Sequence, residues 1–442
     1  MTIKEHSMQE FDLSYDILND VFDHNQPFNE ALRKVFQTSP ELRPMRSDVA
    51  ALVGCTLRHH HLFDYLTKPL EMEEADRRYV YLALGNNYFS RHFEKADMNE
   101  CVRAKLGDEK FAKVEALLND EGTDRSHIPA NISRSSNLYL SLRFNTPDWV
   151  LKVFEHFGFG TTYKILNRLS RPMPHTYRVR TSNRTVESVL ENPEFQKTEL
   201  PGLVTYTGKS RLNKNPLYAS MDIFEERAFS RRIIEENLVK APEQVLLYNG
   251  NASPELMLDL IETYGDTIGL NIACDDTERY APVHRLIRNK GLHNVNFFTS
   301  PQCESLASAV SQPQELVIVA PNSTNFDLIP LSPDYLLHFD KSEMDAIIKN
   351  QGIALENASQ FVEVGGKLIY CVYTISMKEG IQTLRSFFAS HKDFRIESHK
   401  QYFPFEKDGC CAYMAVLTKL DHEEADPFGA YAAKIAKDGK KE

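Results

Sequence analysis

Apolar positions recur every three or four residues through the first third of the chain. SYDILNDVFDHN, ALRKVFQTS and SDVAALVGCTLRHHHLFDYLTK all follow this spacing, with Val49, Leu52, Val53, Leu57 and Phe63 on one stripe. Ser47 just before Asp48 is expected to be an N-cap, and RRYVYLALGNNYFSRHF and EKFAKVEALLND continue the helical text. An all-helical region over about 1–145 is expected. From about 146 the pattern shortens. WVLKVFEHFG and TYKILNRLS read as helices, HTYRVRTS alternates as a strand with Arg178 and Arg180 on one face, and LPGLVTYTG reads as a strand into a turn. This predicts a small mixed α/β module over 146–226. Beyond it, VLLYNG, TIGLNIACD, NVNFF, ELVIVAPN and GGKLIYCVYT are strand-like and alternate with helical segments. That alternation implies a doubly wound parallel sheet over 227–420, closed by the antiparallel pair DFRIESHKQYF and GCCAYMAVLTKL. Residues 421–442, rich in Lys, Glu and Ala, are expected to be a frayed helix or a flexible tail.

Composition narrows the class. With 442 residues, 42% hydrophobic and 26% charged, the chain is ordinary for a globular protein of about three domains. No apolar run is long enough to span a membrane, and the N-terminus lacks the apolar core of a signal peptide. Seven scattered cysteines read as reduced thiols of a cytoplasmic protein. The net charge of -11 hides an asymmetry. Between Leu151 and Lys214 there are eleven Lys and Arg against five Glu, a local +6, so the remainder carries -17. A basic segment in an acidic chain suits a polyanion, and a solvated basic face is the plain alternative. Arg178, Arg180, Arg184, Lys209 and Arg211 are the candidate phosphate contacts. Tyr177 and Tyr206 would either stack on bases or fill the strand core. The triplet His59-His60-His61 is not a metal motif, because consecutive helical side chains point about 100° apart. It is expected to form a polar helix face, and no metal site is expected.

Several stretches, in this order, carry a resemblance: Gly54-Cys55-Thr56-Leu57-Arg58, TPDWVLKVFEHFG, PMPHTYRVRTSNRT, VIVAPNS, ALENASQFVEVGGKLIYCVYTISMKEG and KDGCCAYMAVLTK. They resemble the bacterial 16S ribosomal RNA cytosine-5 methyltransferase B (Fmu/Sun) family over nearly the whole chain. The resemblance implies an N-terminal domain similar to the antitermination factor NusB, an RNA-binding module, and a class I (Rossmann-like) methyltransferase domain using S-adenosylmethionine. In that family a cysteine thiolate attacks carbon 6 of cytosine to make carbon 5 nucleophilic. A second cysteine, in an Asp-Ala-Pro-Cys motif, helps release the product.

This chain departs from the pattern at each chemical position. The Asp-Ala-Pro-Cys motif is Val319-Ala320-Pro321-Asn322, and the nucleophile of Tyr-Ala-Thr-Cys-Ser falls at Tyr373. A phenol with a pKa of about 10 cannot stand in for a thiolate at neutral pH. Of the glycine-rich cofactor loop only Gly250 remains. The ribose-binding acid falls near Cys274, where Asp275 and Asp276 are the available substitutes. Cys371, two residues from Tyr373 and on the same strand face, is a displaced thiol some 6–7 Å short of the nucleophile position. Three functions therefore stand as expectations. The first is an RNA-binding pseudo-methyltransferase lacking both cysteines, and the second an active S-adenosylmethionine-dependent enzyme using displaced residues. The third is a scaffold that binds a protein partner through the NusB-like domain.

Overall fold

The computed structural model describes residues 3–122, 126–171, 173, 175–208, 212–238, 241–248, 254–265, 267–274, 281–298, 306–308, 310, 312–339, 341–406, 409–424, 426, 428–429 and 431. The chain divides into two compact units, Met1–Pro172 with Leu328–Lys341, and Met173–Asp327 with Ser342–Glu442. This cuts the chain differently from the three-part reading. The helices Asp148–Phe154 and Gly158–Leu169 belong to the helical unit, and the small sheet that follows shares a unit with the large one.

The helical unit is built around one apolar cluster in which Phe11, Leu18, Val49, Leu52, Val53, Leu57, Phe63 and Val80 are sealed from solvent. These include the positions the three-and-four spacing marked. Leu328–Lys341, nearly 300 residues downstream, is part of this unit and supplies a cap. Helix Phe28–Thr38 begins after Pro27, which has no side-chain acceptor, and the buried Asp334 carboxylate accepts instead from the Phe28 N–H at 2.7 Å. Its other contacts are Ser332 Oγ at 2.5 Å and His338 Nε2 at 2.9 Å. The histidine triplet turns inward rather than forming a polar outer face. His59 stacks on Phe89 with ring centroids 3.7 Å apart, and the His61 N–H donates to Asn145 Oδ1. Burial pushes both His59 and His60 down to about 3, so they are neutral.

The second unit contains two sheets. The smaller is antiparallel, in the order β2 (Phe195–Lys197), β3 (Leu203–Tyr206), β1 (Thr176–Val179), β4 (Ile223–Glu225). One face packs Tyr177, Val179, Phe195, Val204 and Ile223 into a core. Tyr177 is edge-on to both Tyr206 and Tyr218, so it is a core residue and not a stacking platform.

The larger sheet has seven strands: β7 (Val295–Phe298), β6 (Gly269–Ala273), β5 (Gln244–Tyr248), β8 (Gln314–Val319), β9 (Val362–Val372), β11 (Ala412–Lys419) and β10 (Phe394–Tyr402), in that order. The first five run parallel, and β11 is antiparallel to both of its neighbours. Both faces are covered, as a parallel sheet requires. Ile369, Cys371 and Tyr373 enter the core on one face, and Leu368, Tyr370 and Val372 the core on the other. Doubly wound sheets bind ligands beyond the carboxyl ends of their parallel strands, so β5, β6, β8 and β9 position the candidate site.

Candidate functional site at the carboxyl edge of the large sheet

β8 and β9 are parallel neighbours; Val319, the last residue of β8, pairs with Tyr370, two residues before β9 ends. Their two exit loops are stitched together. Ser323 Oγ donates to the Tyr373 carbonyl at 3.1 Å and accepts from the Tyr373 N–H at 3.1 Å. The buried Glu379 carboxylate accepts from the Thr324 N–H and hydroxyl at 2.9 and 2.7 Å, from Thr374 Oγ1 at 2.6 Å and from Gln351 Nε2 at 3.0 Å. Gln351 also donates to the Asn322 carbonyl at 2.9 Å. Asn322, which the resemblance matches to the family's second cysteine, is exposed.

Tyr373 is not presented to a substrate. Its ring is 3% exposed, edge-on to Phe229 at 5.1 Å, and the Arg227 guanidinium lies over it at 3.4 Å from the ring centre. Its hydroxyl meets Ser230 Oγ at 2.6 Å. Arg227 is fixed in turn by Glu255 at 2.5 Å and Asp327 at 3.1 Å. A cation over a ring face is attractive, and strongly so where water is displaced. Tyr373, Arg227, Glu255 and Asp327 thus form one closely packed cluster at this edge of the sheet. Cys371 does share a face with Tyr373, as the alternation required. It is buried, however, with Sγ against the Val319 carbonyl at 3.4 Å, and burial pushes the thiol up to about 12. A thiol so raised supplies almost no thiolate at neutral pH.

On the cofactor side, Gly250, Asp275 and Asp276 lie outside the described residues. Cys274, the residue after β6, is sealed in the apolar core. Among the described residues no group of His, Cys, Asp and Glu could hold a metal ion.

The candidate phosphate contacts require a correction. β1 turns Tyr177 and Val179 to one side and Arg178 and Arg180 to the other, as alternation predicts. That other side is covered by helix Pro254–Tyr264. Arg178 Nε donates to Asp259 at 2.7 Å, and Arg180 Nε to Glu262 at 3.4 Å. The side chains of Asp259 and Glu262 are fully buried, and those of Arg178 and Arg180 are 4% and 9% exposed. Guanidinia enclosed by carboxylates cannot also meet a phosphate, so these two arginines hold the small sheet to the large one. Arg231 joins them with bonds of 3.1 and 3.0 Å to Asp259. Burial works to raise Asp259, but Arg178 and Arg231 outweigh it and hold the group below the ordinary carboxyl range. Glu226, buried beside it, is pushed well up by desolvation and by the Asp259 charge. Arg184 is half exposed and paired with Asp222 at 2.7 Å, while Lys209 and Arg211 lie outside the described residues. Sequence reasoning missed Arg227, Glu255 and Asp327. An arginine and two acids separated by up to 100 residues leave no local pattern.

No family model matches the chain. A stretch of 81 residues is 37% identical to the ribosomal RNA small subunit methyltransferase B of Thermus thermophilus, covering 18% of this chain and 19% of that relative. The match therefore spans about a fifth of the relative's length. Among solved structures, PH0851 aligns with a TM-score of 0.70 at 15% identity, over 95% of this chain and all of that one. A methyltransferase homologue from Pyrococcus horikoshii aligns with a TM-score of 0.54 at 14% identity, over 64% of this chain and 98% of that one. Over that stretch the chain is similar in sequence to a ribosomal RNA small subunit methyltransferase B, and it shares its fold with PH0851 and with the methyltransferase homologue from Pyrococcus horikoshii.

Proposed function

We propose that this chain is an RNA-binding homologue of the ribosomal RNA cytosine-5 methyltransferases that does not carry out covalent methyl transfer. The carrying observation is the residue at the nucleophile position. Tyr373 is buried under Arg227 and hydrogen-bonded to Ser230, and the neighbouring Cys371 thiol is buried and raised. Attack on carbon 6 of cytosine needs a thiolate aimed at the base, and neither group provides one. The RNA part of the reading rests on similarity to a protein named for ribosomal RNA and on the local basic excess. RNA is the partner proposed, and the cytoplasm the proposed location. No helix among the described residues is long and apolar enough to cross a membrane.

Two measurements test this. Calorimetric titration with S-adenosylmethionine, and again with S-adenosylhomocysteine, should give no heat at millimolar ligand. Incubation with labelled S-adenosylmethionine and 16S ribosomal RNA should transfer no label. Label in cytosine that disappears in Cys371→Ser would overturn the reading in favour of an enzyme with a displaced thiol.

A further inference from the structure

With Arg178 and Arg180 enclosed, the basic excess has to act elsewhere, and the helical unit shows where. Residues 134–171 carry six cations, Arg134, Arg143, Lys152, Lys164, Arg168 and Arg171, against Asp148 and Glu155. This is a net +4 within 38 positions, and it leaves -15 on the rest of the chain. Helix Gly158–Leu169 buries Thr162, Ile165, Leu166 and Leu169, which fixes its outer face. Lys164 and Arg168 lie on that face one turn apart, and Arg171 follows the helix end, with Nη2 on Asn167 Oδ1 at 3.2 Å.

Beside the cations runs an aromatic row. Phe159 is 39% exposed although it is large and apolar, and its ring centre lies 6.5 Å from that of Tyr163. Tyr163 is edge-on to Phe144 of helix Asn137–Phe144 at 5.2 Å. Cations at a helix C-terminus are favoured by the helix dipole whatever their use, which accounts for Arg168. The dipole does not account for the cation at Lys164, or for an exposed phenylalanine one helical turn before a half-buried tyrosine.

We propose that the outer face of helix Gly158–Leu169, with Phe144 beside it, is a docking surface for single-stranded RNA. Phe159 and Tyr163 would take unstacked bases, and Lys164, Arg168 and Arg171 the phosphates along one edge. The chemistry is that of sequence-tolerant single-strand binders, a basic track beside aromatic platforms. The inference rests on the RNA-binding reading above and moves its contact surface from β1 to this helix.

The test uses the full chain and a labelled mixed-sequence RNA oligonucleotide of about 20 nucleotides, read by fluorescence anisotropy across a salt series. The triple variant Lys164→Glu, Arg168→Glu, Arg171→Glu should weaken binding at least about tenfold. It should also flatten the salt dependence by about 2, at roughly 0.7 per lost phosphate contact on a single strand. Phe159→Ala with Tyr163→Ala should weaken binding about fivefold or more, as loss of a base stack does, and leave the salt slope unchanged. Lys197→Glu with Lys214→Glu, exposed cations of the other unit, should change affinity less than about twofold. Circular dichroism of each variant establishes that it is folded. If the wild-type chain binds RNA and the helix variants bind equally well, the inference is wrong while the RNA reading stands. If the wild-type chain binds no RNA, both fail. Tight binding to vesicles of anionic phospholipid with none to RNA would reassign the same face to a membrane surface and overturn the proposal.

Discussion

Arg178→Ala separates a structural arginine from an RNA-contacting one. The substitution removes the 2.7 Å bond to Asp259 from a pair whose side chains are 4% and 0% exposed. Breaking a buried pair by deleting one partner costs about 3–5 kcal/mol, because the remaining charge stays desolvated. Asp259 keeps two bonds from Arg231, at 3.1 and 3.0 Å, and one from the Thr263 hydroxyl at 3.0 Å, so the lower end applies, about 3 kcal/mol. At about 2–4 °C per kcal/mol for a unit of this size, the melting temperature should fall by about 6–12 °C. The assay is thermal unfolding by circular dichroism, paired with RNA anisotropy at a temperature where the variant is folded. The expected result is a large fall in melting temperature with RNA affinity within about twofold of wild type. A melting temperature within 2 °C of wild type, together with a tenfold loss of RNA affinity, would refute the structural assignment and return Arg178 to the phosphate contacts.

Further expectations concern the same interior. A methyl group at Gly202, whose φ is +78°, would run into the Arg178 guanidinium, so Gly202→Ala should destabilise by about 2 kcal/mol or more in denaturant unfolding. Tyr373→Cys puts a thiol where the resemblance expects one but loses the Ser230 hydrogen bond and the ring under Arg227. It should cost about 1–3 kcal/mol by chemical denaturation and give no methyl transfer to RNA. Glu226 has its folded pKa raised, so its contribution to stability is complete below the unfolded carboxyl value and is lost as pH rises through the raised one. Glu226→Gln, which mimics the protonated acid, should therefore flatten the alkaline limb of melting temperature against pH; an unchanged limb would show that Glu226 is not its source. Asp334→Ala removes the acceptor for the Phe28 N–H and should lower the stability of the helical unit by about 1–2 kcal/mol, measured by hydrogen exchange in helix Phe28–Thr38.

The division of labour between sequence and fold follows from the range of each interaction. Periodicity is local, and it placed the helices around Val49, Leu52 and Phe63, the alternation of β9, and the closing antiparallel pair, because each depends on residues a few positions apart. The same alternation put Arg178 and Arg180 on one face of β1, and Cys371 with Tyr373 on one face of β9. The resemblance sets Asn322 and Tyr373 against the family's two cysteines, an expectation that needs only the order of residues along the chain. What covers a face is not local. Helix Pro254–Tyr264 brings Asp259 and Glu262 onto the arginines from about 80 residues away, which turns apparent phosphate ligands into internal ties. Arg227, Glu255 and Asp327 close over Tyr373 only because the sheet gathers three distant segments at one edge. Asp334 caps a helix that begins 306 residues earlier in the chain. Burial decides whether a charge is a ligand for something outside or a partner for something inside, and burial is a property of the tertiary structure alone.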